Sequence, residues 1–168
     1  MTLFDSFRRE KIKKRFNIAK RNERYDNLDF FEGGMSLVSK SFDRSLHRLV
    51  AKKELKDKYI ENEAVFRSFL NEARLISYLD HPGVTSIYDV FIQSNAVPCY
   101  TMEYIKGQTL DKHLDDLVGQ YILVGGQSDS IPLAQCLRIF ERICETMAYV
   151  HDRGVIHLDL KPQNIIIG

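Results

Sequence analysis

The chain has 168 residues, 44% of them hydrophobic, and its 24 Lys and Arg nearly cancel 23 Asp and Glu to leave a net charge of +1. That length suits a domain with its own core, and the charge balance gives no general attraction to nucleic acid or acidic polymers. The three cysteines, Cys99, Cys136 and Cys144, form no Cys-x-x-Cys pair. Neither a disulfide framework nor a zinc site is therefore expected, and a reducing, cytoplasmic setting fits. No apolar run approaches the roughly 20 residues of a membrane span, and the charged start is unlike a secretory signal.

Residues 1–24 read as a basic helical extension, with Arg8, Arg9, Lys11, Lys13, Lys14 and Arg15, and with Phe4, Phe7, Ile12, Phe16 and Ala19 loosely on one face. Such a segment suits a solvated helix leaning on the following domain, or a surface for anionic lipid or a partner. From Tyr25 to Glu103 the pattern changes to short strands. Strands are expected at 37–40, after a glycine pair, and at 48–55, after a polar turn, which together make a hairpin. A helix follows over 62–79, because Val65, Phe66, Phe69, Leu70, Ala73, Ile76 and Leu79 recur at three- and four-residue spacing. His81-Pro82-Gly83 stops it, since proline disfavours helical geometry in the residue before it. Two more strands are predicted at 85–92 and 98–103, joined by a Ser94-Asn95 turn.

After Gly107 the chain turns helical, with a short helix at 110–117. A loop over 125–130 leads to Ser130, a suitable N-cap with Pro132 in the first turn. Leu133, Cys136, Leu137, Phe140, Ile143, Cys144 and Met147 then form a helical stripe over 133–150, ended at Gly154. Strands with one helix, followed by helices, predict an α+β fold of two lobes rather than an alternating parallel sheet. The expected organisation is an extension (1–24), a strand-rich lobe (25–104) and a helical part (105–168).

The chemistry concentrates in residues 155–167, Val-Ile-His-Leu-Asp-Leu-Lys-Pro-Gln-Asn-Ile-Ile-Ile. Here His157, Asp159, Lys161 and Asn164 stand among apolar residues just after a helix. A carboxylate that accepts a proton, a nearby cation and an amide oxygen suit phosphoryl transfer, which needs a base, phosphate stabilisation and a hard ligand for magnesium. On spacing alone, a polar turn capped by Asp159 and Asn164 accounts for the same residues equally well.

The segment also resembles the protein-kinase catalytic loop, H-R-D-L-x-x-x-N, at His157, Asp159, Leu160 and Asn164, and Lys161-Pro162 resembles the serine/threonine branch in its bacterial, eukaryotic-like form. The resemblance implies a kinase-like fold: an antiparallel five-stranded N-lobe with one helix, then the helical start of a C-lobe. It implies ATP and Mg2+ as cofactors and a protein Ser/Thr hydroxyl as acceptor. Asp159 would take the hydroxyl proton, Lys161 would steady the γ-phosphate and Asn164 would bind magnesium.

Upstream landmarks arrive in the family's order. Val50-Ala51-Lys52-Lys53 resembles the V-A-I-K strand, which makes Lys53 the residue for the α/β-phosphates and places Lys52 on the opposite strand face. Glu72, in Phe69-Leu-Asn-Glu-Ala-Arg, resembles the helix glutamate that would pair with Lys53. Tyr100-Thr-Met-Glu-Tyr-Ile-Lys-Gly107 resembles the hinge: Met102 would be the gatekeeper, and backbone groups of Glu103 and Ile105 would bond adenine. Val38, Ala51 and Ile166 would sandwich the ring.

Three departures stand out. The phosphate-covering pattern G-x-G-x-x-G-x-V falls on Phe31, Gly33, Ser36 and Val38, with Gly34 beside the one retained glycine. Leu158 replaces the arginine that often pairs with a phosphorylated activation loop, so activity should not depend on that switch. Gly168 comes just before the family's D-F-G aspartate and activation segment would be expected. On this reading the 168-residue piece would be inactive alone, with the helix at 133–150 exposing much of its apolar stripe. The alternatives are a pseudokinase or nucleotide-binding scaffold, motivated by Phe31 and Ser36, and a small-molecule phosphotransferase, opposed by Lys161-Pro162.

Overall fold

A computed structural model of the protein describes residues 23–93, 95–123 and 133–168. The predicted extension up to residue 22, Ser94, and the loop with Ser130 and Pro132 lie outside the described residues. Two compact units emerge: one runs up to Ser77 and again over Thr85–Tyr104, and the other takes Tyr78–Val84 and Ile105–Gly168.

The first unit is built on strands β1 (Tyr25–Glu32), β2 (Ser36–Asp43), β3 (Arg48–Leu55), β4 (Ile87–Ile92) and β5 (Pro98–Glu103). They form one antiparallel sheet in the order β1-β2-β3-β5-β4. The β2–β3 turn is fixed by Asp43, whose carboxylate accepts from the backbone N–H groups of Ser45 and Leu46 (2.9 and 3.2 Å) and from Nε and Nη2 of Arg24 (2.9 and 2.7 Å). Burial pushes the Asp43 carboxyl up, but these donors outweigh it and hold the group below its ordinary range.

Helix α1 (Glu63–Tyr78) is capped by Asn62, whose Oδ1 accepts the Val65 N–H at 3.2 Å. Its inward residues Phe69 and Ala73 pack on Leu55 and Tyr100, with the Phe69 and Tyr100 rings 5.1 Å apart. Truncating Phe69 to alanine would cost about 3–5 kcal/mol, since a buried aromatic leaves a large void.

In the second unit, β6 (Gln108–Thr109) pairs with β7 (Ile166–Ile167), and between them in sequence lie α2 (Leu110–Leu123) and α3 (Leu133–Asp152). Helix α2 runs to Leu123 rather than stopping at 117 as predicted. Gly119 lies within it with open space where a side chain would be, and an interior glycine costs only about 1 kcal/mol against alanine. Helix α3 ends with the predicted glycine: Gly154, at φ +72°, donates to the His151 carbonyl and Val155 reaches back to that of Val150. Its apolar stripe divides, with Leu133, Leu137 and Phe140 exposed and Val150 buried. The His81-Pro82-Gly83 segment belongs to this unit, where the Tyr149 hydroxyl accepts the Asp80 N–H at 2.9 Å and the His81 and Tyr149 rings lie 4.7 Å apart. Among the described residues no helix is long and apolar enough to cross a membrane.

Candidate functional site

The first cluster belongs to the sheet unit. Strand alternation and the β3–β5 register set Lys53 opposite Tyr100 and Ala51 opposite Met102, while the β2–β3 register sets Val38 opposite Lys53. Directly opposed residues share a sheet face, so Val38, Ala51, Lys53, Tyr100 and Met102 all lie on one face. Helix α1 turns Glu72 toward the same place, one turn from Phe69 and beside Ala73. The Lys53 ammonium lies 2.6 Å from Glu72 Oε1, as the sequence predicted.

Sequence reasoning missed a third member. The Tyr100 hydroxyl donates to the same Glu72 oxygen at 2.9 Å, and the Lys53 ammonium lies 5.6 Å from the Tyr100 ring. Burial, and then the Glu72 charge, push the Tyr100 phenol far above its ordinary range, so it remains a neutral donor. The available signal was parity: Tyr100 stands two residues before Met102, on the same face of β5.

Lys52 lies on the other face, but that face is closed rather than wet. Lys52 is 6% exposed and pairs with Glu54 at 3.2 Å, while Ser39, Ser41, Cys99 and Thr101 are fully buried. Gln93 bonds both Glu54 and the Cys99 sulfur. Of the two lysines it is thus Lys52 that is buried, whereas Lys53 keeps a fifth of its side chain accessible to a ligand.

The residues of the glycine pattern divide between ladder and turn. Phe31 ends up in β1 opposite Val38, and Ser36 starts β2 opposite Leu55. Only Gly33, Gly34 and Met35 form the turn, closed by the Gly33 N–H donating to the Ser36 carbonyl at 3.0 Å.

The hinge prediction falls on β5 and the residues after it. The Glu103 N–H donates to the Ser86 carbonyl at 2.9 Å, so that donor is engaged within the sheet unit. Ile105 opens the second unit. Gly107 follows where the backbone runs against β7: a Cβ there would stand 1.9 Å from the Ile167 carbonyl oxygen, so no side chain fits.

The second cluster is the loop between α3 and β7. Leu158 has φ +53°, and the Asp159 N–H folds back onto the His157 carbonyl at 2.6 Å. This tight three-residue turn is a sparsely populated conformation for leucine and turns Asp159 outward. Asp159 Oδ2 accepts from the Lys161 ammonium at 2.9 Å and from Asn164 Nδ2 at 3.0 Å, and the same nitrogen bonds the Asp159 carbonyl at 2.8 Å. Lys161, and then Asn164, hold the Asp159 carboxyl below its ordinary range. Pro162 keeps Lys161 extended (φ −154°, ψ 158°) and opens the short turn Pro162–Asn164, which brings Asn164 back to Asp159. Ile166 is held in β7 opposite Thr109, and the Leu110 N–H donates to the Ile165 carbonyl at 2.8 Å.

Magnesium fits this loop through one donor. Because the Asn164 nitrogen faces Asp159, its amide oxygen is turned away from that residue and is a hard ligand of the kind Mg2+ takes. Among the described residues no group of three His, Cys, Asp or Glu could enclose a metal ion. Phosphate oxygens and water would have to complete the coordination.

Comparison with known proteins identifies the family. The sequence model of the protein kinase domain matches residues 31–168. Serine/threonine-protein kinase PknD of Chlamydia pneumoniae is 39% identical over 147 residues, which is 87% of this chain and 16% of the relative. PknD of Chlamydia caviae is 37% identical over the same length and shares. The chain thus spans about a sixth of the length of these curated relatives. The crystal structure of a single-site mutant of the Mycobacterium tuberculosis PknI kinase domain shares the fold, with a TM-score of 0.63 at 20% identity, over 85% of this chain and 54% of that one. A family model over residues 31–168 and curated relatives at 37–39% identity make this chain a member of the protein kinase family.

Proposed function

We propose that the chain provides nucleotide-binding and catalytic-loop elements for transfer of the γ-phosphoryl group of ATP to a serine or threonine hydroxyl of a protein. One observation carries this reading: Asp159, Lys161 and Asn164 are held together in one loop by direct bonds of 2.8–3.0 Å. The acceptor hydroxyl oxygen attacks the γ-phosphorus, its proton passes to the Asp159 carboxylate, and the bond to ADP breaks. Asp159 is suited to this because its neighbours keep it ionised. Lys161 offers positive charge to the transferring group, and its bond to Asp159 positions it. Magnesium, when bound, would neutralise phosphate charge, with Asn164 supplying one ligand.

In the sheet unit, Lys53 would take the α- and β-phosphate oxygens. Glu72 fixes the lysine head, and Tyr100 fixes Glu72. Gly33 and Gly34 would cover the phosphates, and the Glu103 carbonyl would bond adenine. Val38, Ala51 and Met102, on one face of the sheet, offer small or flexible apolar surface to the ring.

The test is transfer of labelled phosphate from ATP to a mixed protein substrate, together with ATP affinity. Lys53→Met should weaken ATP binding about tenfold or more, by loss of a charge-assisted contact. Asp159→Asn should leave ATP binding intact and abolish transfer. Transfer that survives Asp159→Asn would overturn the reading. A second reading, a nucleotide-binding scaffold acting by protein contact, is favoured by Phe31 and Ser36 in place of glycine. It predicts ATP binding, lost in Lys53→Met, without transfer.

A further inference from the structure

The turn at Gly33–Met35 is held by a residue outside the kinase pattern discussed above. Lys56 stands one position past β3, and its ammonium donates to the Gly33 carbonyl at 2.7 Å. Its backbone N–H donates to the Met35 carbonyl at 3.1 Å. One residue therefore grips the turn at both ends, once by a charged side chain and once by main chain.

The grip fixes direction as well as position. Every peptide bond described is trans, and in a trans peptide the carbonyl and the next N–H point opposite ways. With the Gly33 and Met35 carbonyls drawn toward Lys56, the N–H groups of Gly34 and Ser36 are directed away from it. Backbone N–H groups of a turn can serve as donors to an anion. We propose that Lys56 is a positioning residue for the phosphate-covering turn, orienting the Gly34 and Ser36 amides toward the nucleotide phosphates in place of the flexibility that glycines at Phe31 and Ser36 would give. The phosphate part of the proposal rests on the ATP reading above; the grip itself does not.

The test compares the protein with Lys56→Met, which keeps the aliphatic stem, and Lys56→Arg, which keeps a donor. In the absence of nucleotide, Lys56→Met should speed hydrogen exchange at the amides of residues 33–36 about fivefold to tenfold, as expected for loss of a charge-assisted bond at an exposed site, and leave β3 and β5 amides unchanged. ATP affinity should fall about fivefold while adenosine affinity is unchanged, because the lost contact lies on the phosphate side. Lys56→Arg should restore both. Unchanged exchange at 33–36 would overturn the grip, as would equal acceleration throughout the sheet. Equal loss for ATP and adenosine would overturn the phosphate role. If the unsubstituted protein binds no ATP, the proposed function and the phosphate role both fall, while exchange at 33–36 still decides the grip.

Discussion

Replacing Tyr100 with phenylalanine removes a single hydroxyl from a residue that is 1% exposed and leaves its ring in contact with Phe69. Because the ring stays, almost no cavity term arises, and the loss is that of the 2.9 Å hydrogen bond to Glu72. A bond to a charged acceptor contributes about 1.5–3 kcal/mol when both partners are dry. The Glu72 side chain is 43% exposed, so water replaces part of the lost donor, and the expected cost falls to about 1 kcal/mol. That is roughly a fivefold change in the folding equilibrium. Urea denaturation of the protein with Tyr100→Phe, Glu72→Gln and both together isolates the pair. Neutral glutamine loses the charge that strengthens the bond, so a coupling of about 0.5–1 kcal/mol is expected. Coupling within about 0.3 kcal/mol of zero would refute the claim that Tyr100 anchors Glu72, because independent sites add to that tolerance. Lys53 serves as an internal control: its 2.6 Å contact with Glu72 persists in Tyr100→Phe, so ATP affinity should fall less there than in Glu72→Gln.

Gly107→Ala must part β6 from β7 to make room for a methyl group, and should lower stability to urea by about 1–3 kcal/mol, as overpacking does. The Asp159 carboxyl, held below its ordinary range by Lys161 and then Asn164, should titrate below that range by carbon NMR, and Lys161→Ala should move the midpoint upward. The sign follows from the depressed value: the carboxylate is the form present at neutral pH, and what its partners add is lost only as pH falls through the lowered midpoint. A midpoint at or above the ordinary value would contradict the geometry. Burial pushes the Cys99 thiol up to about 11, so a thiol reagent at pH 8 should label exposed Cys144 and leave Cys99 untouched in the folded protein. Labelling of Cys99 at the rate of Cys144 would show that the sheet face over Lys52 is open.

The sequence displayed the site residues whose chemistry is tied to position. Lys53, Glu72, Asp159 and Asn164 were singled out by short stretches that resemble kinase motifs, with strand alternation setting Lys52 aside; all are local patterns. Tyr100 did not stand out, because a tyrosine in a strand usually serves the core, and here it does that and binds Glu72 as well. The closed face around Lys52 was illegible for a related reason. Alternation assigns a side of the sheet, but whether Ser39, Ser41 and Thr101 on that side meet water or protein is decided by distant segments. The helix expected over 110–117 runs on through Gly119, since a glycine's effect depends on what surrounds it. The grip of Lys56 on Gly33 joins two strand ends far apart in sequence, and no periodicity records such a meeting.

The bond from the Leu110 N–H to the Ile165 carbonyl, with the ribbon of β6 and β7 beside it, joins residues near the two ends of the Ile105–Gly168 stretch of the second unit. Contacts between such distant positions are entropically expensive to close and form after local helices have already condensed. The loop that carries Asp159 lies inside this closure, so its geometry is expected to form after α3 does. Conditions that open only the β6–β7 ribbon would release Asp159 and Asn164 while α3 stays helical. The order of the Asp159 loop thus reports whether β6 and β7 have paired, not merely whether α3 has formed.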